Sequence, residues 1–302
     1  MNSKMNNVMI VLNYNDYFTT KTYINMIQNF SIIDKIVIVD NDSSDESFHR
    51  LIPFKSDKID VIKTEHNKGY AYGNNFGVAF AEKHYKPQNI IISNPDIIIK
   101  EESIVKIIDV LNSNENVAIA TGIIHDNSGS IISNFAWKVP TYYDMLINCF
   151  FIAYKFHRKI LKKGMFYDYK ILQQSDFIEV EVVSGCFFII KDNIFQKING
   201  FDEETFLFNE ENIIGFKLKE QNLKVCLVKD STIIHNTSTS INKNIKSIAI
   251  KENILKESSK TYIRKYLKVG AIKLLLFKLA FNLGKYEKRL IKIFLSSKYG
   301  SK

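Results

Sequence analysis

Cysteine is scarce in this chain. Its three cysteines, Cys149, Cys186 and Cys226, lie far apart with no CxxC pair, so the spacing indicates neither a zinc cage nor a disulfide framework and suits a reducing compartment. The basic segment and apolar core of a secretory leader are also missing, because the apolar run Val8–Leu12 is broken at once by Asn13 and Asn15. The expectation is a cytoplasmic protein. There is no internal repeat, and no basic recognition motif interleaved with base-stacking aromatics, which argues against a nucleic-acid partner. What the sequence does have is length and apolar content: 302 residues, 46% of them hydrophobic, can bury a substantial core. One large α/β domain with a tail, or two modest domains, would fit that length.

The formal net charge of +9 is unevenly spread. From Lys243 onward 16 Lys or Arg stand against 3 Glu, a charge of +13, which leaves −4 on residues 1–242. The body is slightly acidic and the tail strongly basic. From Leu275, helical spacing puts Leu276, Leu279, Leu283, Tyr286, Leu290, Ile293 and Phe294 on one face and Lys278, Lys285, Lys288, Arg289 and Lys292 on the other. A basic amphipathic helix of this kind can lie in the interface of an anionic membrane. Lysines interrupt every long apolar run, so it cannot span one. The other reading is a helix that packs on the body or on a second subunit.

The run Val8–Leu12 reads as a buried strand, and polar residues 13–20 lead into a helix-like stretch, Tyr23–Phe30. Lys35–Val39 is a second strand, stopped at Asp40 by the turn-rich residues 41–45 and followed by a helix from about Glu46. Asp60–Lys63 leads into the loop Asn67-Lys68-Gly69-Tyr70 and a helix over Gly73–Lys83, and Asn89–Ser93 ends at Asn94-Pro95-Asp96. Later signals are weaker: a helix over Ile104–Leu111, a strand at Val117–Gly122, a strand pair within Glu179–Ile190, a helix near Glu211–Glu220 and strands at Lys224–Val228 and Ser231–Ile234. Phe135–Asp176 gives no assignable pattern. Strands separated by helical stretches spell βαβ units, hence a mainly parallel sheet covered by helices, which binds ligands at its carboxyl edge. Asn13, Asp40, Asn67 and Asp96 each follow an apolar run and should converge there; taken singly, each is equally a strand-ending turn residue.

Six pieces carry a resemblance: VLNYN at 11–15, IVIVDNDSSDES at 36–47, NKGYAYGNNFG at 67–77, ISNPDI at 92–97, SGCFFII at 184–190 and NGFDEETFLFNEENIIGFKLK at 199–219. In that order and spacing the chain resembles the glycosyltransferase family 2 proteins, especially their rhamnosyltransferase-like branch, over roughly residues 6–240. The resemblance implies a GT-A fold, an α/β architecture with a Rossmann-like, mainly parallel mixed sheet flanked by helices, here with a C-terminal helical extension. It also implies a nucleotide-sugar-binding half at 1–100 and an acceptor-binding half at 101–242, with 243–302 as the basic helical tail.

For single residues, the resemblance implies that Asp40 accepts from the N3–H of uracil or thymine, helped at the nucleotide by Asn13, Asn67, Gly69, Asn74 and Asn94. Asp42, Ser43 and Ser44 suit turn and capping chemistry better. Asn94-Pro95-Asp96 stands where GT-A enzymes carry DxD, so Asp96 would help hold Mg²⁺ or Mn²⁺ against a diphosphate. Asn94 departs from that pattern by one negative charge, and the tripeptide alone also reads as a turn. His235, opening the run HNTSTS, matches a histidine that can join the metal or diphosphate, or be structural. Glu210-Glu211 falls where relatives carry Glu-Asp, making Glu211 the general base and Glu210 its neighbour; Asp202 and Glu203 are acidic candidates for the acceptor site. Such a carboxylate pair is otherwise a helix-dipole feature.

The expected activity is inverting, metal-dependent transfer of a sugar, rhamnose from dTDP-rhamnose or a sugar from a UDP donor, to a lipid-linked saccharide in surface or capsular polysaccharide synthesis. The protein would sit peripherally on the inner face of the plasma membrane, and an oligomer is possible. Two rivals are a non-catalytic GT-A accessory subunit and a sugar nucleotidyltransferase. The second would carry a glycine-rich, basic loop after the first strand, where this chain has NYNDYF.

Overall fold

The computed structural model describes residues 6–159, 164–173, 175, 177–236 and 245–299, and the side chains of 295–299 are left undescribed. Residues 237–240 of the HNTSTS run, and the boundary expected at 242–243, lie outside these. The first part of the chain is β1 (Asn7–Asn13), α1 (Tyr17–Ile27), β2 (Lys35–Asp40), α2 (Ser47–Leu51), β3 (Ile59–Lys63), α3 (Tyr70–Tyr85), β4 (Asn89–Ser93), β5 (Ile97–Ile99) and α4 (Glu101–Ser113). Next come β6 (Val117–His125), β7 (Ala136–Trp137), α5 (Tyr142–Ile147), α6 (Phe151–Lys159), β8 (Phe177–Val180), β9 (Val182–Val183), β10 (Phe187–Lys191) and α7 (Asp192–Lys197). The chain finishes with α8 (Glu210–Lys219), β11 (Lys224–His235), α9 (Ile248–Thr261), a π turn at Tyr262–Tyr266, and α10 (Ala271–Tyr299).

A nine-stranded sheet runs in the order β3-β2-β1-β4-β10-β6-β11-β5, with β8 also paired to β11. The first four strands are parallel, while β10 runs against both β4 and β6. Strand alternation divides the core in two: Met9 and Val11 join the cluster on one face of the sheet, Val8 and Ile10 that on the other. Three local readings change. Helix α1 starts six residues before Tyr23, because residues 17–22 form its first turns: Thr20, Tyr23, Ile24 and Ile27 face inward while Phe18, Lys21 and Thr22 face solvent. The two strands read at 224–234 are one, with a bulge between Val228 and Thr232. The unassigned stretch holds β7, α5 and α6, too short for periodicity to show.

The tail is part of the body. Phe277 of α10 is buried with Tyr142, Met145, Ile213 and Tyr262, and full burial of such a ring contributes roughly 2 kcal/mol. Gly284 lets α10 approach the α5–α6 turn, since a Cβ there would lie 2.0 Å from the Cys149 carbonyl oxygen. Glu287 accepts from the N–H groups of Phe151 (2.7 Å) and Ile152 (3.1 Å), closing the N-terminus of α6. Lys285 and Arg289 pair with Glu252 of α9. Leu276, Leu279, Leu283 and Leu290 remain 50–67% exposed. Among the described residues no helix is long and apolar enough to cross a membrane.

Candidate functional site

The parallel strands β1, β2 and β4 end on one edge, and the register sets Asn13 beside Asp40. Asn13 donates to Asp40 Oδ2 (2.8 Å), Ser43 donates to the same carboxylate from its hydroxyl (2.7 Å) and its N–H (2.9 Å), and Thr20 donates to Asn13 Oδ1 (2.7 Å). Both Asn13 and Asp40 are fully buried and lie beneath the cleft surface, organising the loop above them. Neither of them lines the cleft. The amide that faces the cleft at this level is Asn41, which donates to Asn67 Oδ1 and to the Gly69 carbonyl, each at 3.1 Å.

Above this edge opens a cleft of about 860 Å³. Its polar lining includes Asp16, Asn41, Asn67, Asn94, Asp96 and His235; its apolar lining includes Ile132, Phe206, Leu207, Ile245, Ile250 and Ile254. The apolar lining is therefore supplied partly by the tail, which also contributes Lys246 and Ser247. Asn67 turns the loop by accepting from the Gly69 N–H (2.9 Å). Gly69 has φ of 100°, and a Cβ there would sit 2.0 Å from the Phe206 carbonyl oxygen, so only glycine fits. Asn74 is buried one turn into α3, donating to the Tyr70 carbonyl (2.9 Å), with its own Oδ1 unpartnered, and it does not line the cleft.

Asn94 N–H donates to the Cys186 carbonyl (2.8 Å), tying the end of β4 to the turn before β10. The chain then turns through Pro95 and Asp96 into β5, whose antiparallel pairing with β11 sets Ile97 opposite His235. That register brings Asp96 Oδ1 to 3.3 Å from His235 Nε2. Burial is the largest single influence and would lower the imidazole pKa, but the bonds and charges of Asp96 and Cys186 together outweigh it and lift His235 to about 10. Among the described residues no three His, Cys, Asp or Glu side chains cluster to hold a metal ion.

The chain enters α8 through Phe208 (φ 74°) and Asn209 (φ 71°), a left-handed entry that turns Glu210 and Glu211 inward. The tail steadies this entry: Ser258 donates to the Leu207 carbonyl (2.8 Å), and Asn209 donates to the Ser259 hydroxyl (3.2 Å). Glu211 Oε1 accepts from the Gly185 N–H (3.1 Å), and a Cβ at Gly185 would be 2.9 Å from that oxygen. Glu210 is 3% exposed with Oε1 unpartnered. Burial, and for Glu210 also the neighbouring Glu211 charge, pushes both carboxyls above their usual range. Neither Glu210 nor Glu211 lines the cleft; the bond to Gly185 joins Glu211 to the turn whose Ser184 does.

Asp202 and Glu203 have other partners. Asp202 accepts from Lys265 (2.8 Å) and Tyr266 (2.5 Å) of the tail, and Glu203 accepts from Asn75 (2.9 Å). Neither lines the cleft. Tyr14, Asp16, Asn41, Tyr70 and Ser184 line it without having been singled out; for Tyr70 and Ser184 the signal was their place beside Gly69 and Gly185 within quoted motifs.

Comparison with known proteins is consistent with this arrangement. The model of glycosyl transferase family 2 matches residues 9–198. Rhamnosyltransferase WbbL from Escherichia coli (strain K12) is 24% identical over 170 residues, covering 55% of this chain and 60% of that protein. The low-salt glycan biosynthesis hexosyltransferase Agl10 of Haloferax volcanii is 24% identical over 230 residues, covering 76% of this chain and 66% of that one. The chain thus spans less than two thirds of the length of either relative. Among solved structures, the mannosyltransferase PcManGT from Pyrobaculum calidifontis in complex with GDP-Man and Mn²⁺ superposes with a TM-score of 0.59 at 10% identity, covering 100% of this chain and 77% of that one. GalNAc-T7 with UDP, GalNAc and Mn²⁺ also gives 0.59, at 12% identity, covering 98% and 58%. These likenesses establish the GT-A α/β fold. Since the family model spans more than half of its length, the chain belongs to glycosyltransferase family 2.

Proposed function

We propose that this chain is an inverting glycosyltransferase that takes a sugar from a nucleotide diphosphate, with Glu211 as the base that deprotonates the acceptor hydroxyl. The observation that carries the reading is the Glu210-Glu211 pair at the start of α8, Glu210 buried and Glu211 half-buried, tied through Gly185 to the turn that also holds the strand leading to Asp96. Burial keeps the pair's proton affinity high, which is what a carboxylate needs to take a proton from a hydroxyl. A single displacement by a hydroxyl held on this side inverts the anomeric centre; a product of retained configuration in NMR would contradict it.

The donor set suits a divalent cation. Asp96 supplies a hard oxygen and His235, once a cation displaces its proton, an acceptable nitrogen, both lining the cleft, and phosphate oxygens and water would complete a shell that the protein leaves incomplete. Mg²⁺ or Mn²⁺, when bound, would neutralise charge on the departing diphosphate. Asn67 and Asn94 line the cleft and would serve the nucleotide and its diphosphate. Likeness to the rhamnosyltransferase favours dTDP-rhamnose, then UDP-sugars.

The acceptor fits a lipid-linked saccharide of surface polysaccharide synthesis, because the cleft lining is partly apolar and the tail that supplies some of it leads to the outward leucines of α10. Those leucines, with the tail's basic residues, suit an anionic membrane surface at the cytoplasmic face. Thermal-shift titration with dTDP, UDP, GDP and CDP, with and without Mn²⁺, tests the donor reading. A metal-dependent rise with dTDP or UDP is expected; no rise with any of them in well-folded protein would refute it.

A further inference from the structure

Tyr70 is the first residue of α3, directly after the glycine that pins the donor loop, and it lines the cleft. Its N–H donates to the Phe206 carbonyl (2.9 Å) and its hydroxyl to the Gly185 carbonyl (2.7 Å). The peptide N–H of Gly185 donates in turn to Glu211 Oε1 (3.1 Å). Gly185 is therefore gripped at both its polar groups, by the donor loop on one side and by the carboxylate on the other. Lacking a Cβ, it has no side chain to hold its orientation, so these two bonds fix the two peptide planes that meet at its Cα.

We propose that Tyr70 is a positioning residue for Glu211, acting through Gly185, so that the loop that receives the donor also aims the base. The proposal rests on the reading of Glu211 as base and adds a link between the two ends of the site. Two further contacts support it. The Tyr70 ring packs edge-on against Phe201 at 5.6 Å, which fixes its direction independently of the hydroxyl. The next residue in the turn, Cys186, accepts from the Asn94 N–H (2.8 Å), so residues 184–186 are stretched between the strand that leads to Asp96 and the helix that carries Glu211. Hydrogen bonds in series polarise one another, and small misplacements of a reacting group are costly in rate.

Tyr70→Phe keeps the ring and removes only the hydroxyl. Nucleoside diphosphate release from the donor that wild type uses should fall about tenfold in kcat, the rate equivalent of one hydrogen bond, with donor KM almost unchanged and Tm lowered by only about 1–2 °C. In a Glu211→Gln background, measured with enzyme in excess, the same change should cost little more, because the two residues act as one unit. An equal loss in both backgrounds, a change confined to KM, or a lowered Tm with wild-type kcat would each overturn the proposal. A wild type that turns over no nucleotide sugar would instead overturn the reading of Glu211 beneath it.

Discussion

Gly69→Ala probes the contact that joins the donor loop to the acceptor side. The residue has φ of 100° and ψ of −175°, a region open essentially to glycine alone, where another residue costs about 1–3 kcal/mol. A Cβ would also meet the Phe206 carbonyl oxygen at 2.0 Å and its carbonyl carbon and Cα at 2.6 Å, all backbone atoms that no rotamer change can move. The loop must shift, which sacrifices the bond from the Tyr70 N–H to the Phe206 carbonyl, worth about 1 kcal/mol. The total is about 2–4 kcal/mol. With unfolding entropy near 2 cal/mol/K per residue, that lowers Tm by roughly 3–6 °C for a chain of this length. Gly129 is the matched control: its φ is 80°, but nothing lies within 4 Å of a Cβ there. Gly129→Ala should therefore cost only the conformational part, about 1–2 kcal/mol, and leave donor turnover intact, whereas Gly69→Ala should depress both stability and turnover. Equal effects of the two changes in differential scanning calorimetry and in nucleotide release would refute the pinned loop.

Other perturbations read the remaining contacts. Burial and the Glu211 charge raise the Glu210 carboxyl, so its contribution to stability is present below the unfolded carboxylate range and lost as pH rises toward the folded value. Glu210→Gln should gain stability relative to wild type as pH goes from about 5 to 8 in urea unfolding, and a pH-independent difference would count against the pair. Asp202 behaves oppositely: burial would raise it, but the bonds from Lys265 and Tyr266 hold it below the usual range. Its stabilisation is present above the unfolded carboxylate range and is lost as pH falls through the folded value. Because Lys265 is partly exposed and also pairs with Glu204, Asp202→Asn should cost only about 1–2 kcal/mol at neutral pH, with the gap closing on acidification. At the membrane, Leu283→Glu with Leu290→Glu should weaken co-sedimentation with phosphatidylglycerol vesicles on the order of a hundredfold. Unchanged sedimentation, or a wild-type dimer broken by the same pair, would assign that face to protein.

Much of the frame is legible in the sequence because it is set locally. Asn89–Ser93 is a strand residue for residue, since the β-branched run Ile90–Ile92 bounded by Pro87 and Pro95 is too short for a helix. Glu210 and Glu211 open a helix as their motif implies. What escapes notice depends on pairings distant in the chain. Lys265 and Tyr266, which bond Asp202, stand more than sixty residues after it, and the bonds that Asn13 and Ser43 give Asp40 are invisible to a strand pattern. Periodicity gives α10 two faces, apolar and basic, whereas the folded helix has three. One carries Phe277 and Gly284 against the body, one carries Lys285 and Arg289 against α9, and one leaves the leucines outward.

The most direct test of the account is nucleoside diphosphate release from dTDP-rhamnose and from UDP-sugars, measured with Mn²⁺ for wild type and for Glu211→Gln. The account predicts turnover of at least one donor by wild type and a loss on the order of a hundred- to ten-thousandfold in the variant, with donor binding retained. Equal rates for the two proteins, or no release by a wild type that binds the donor, would contradict it.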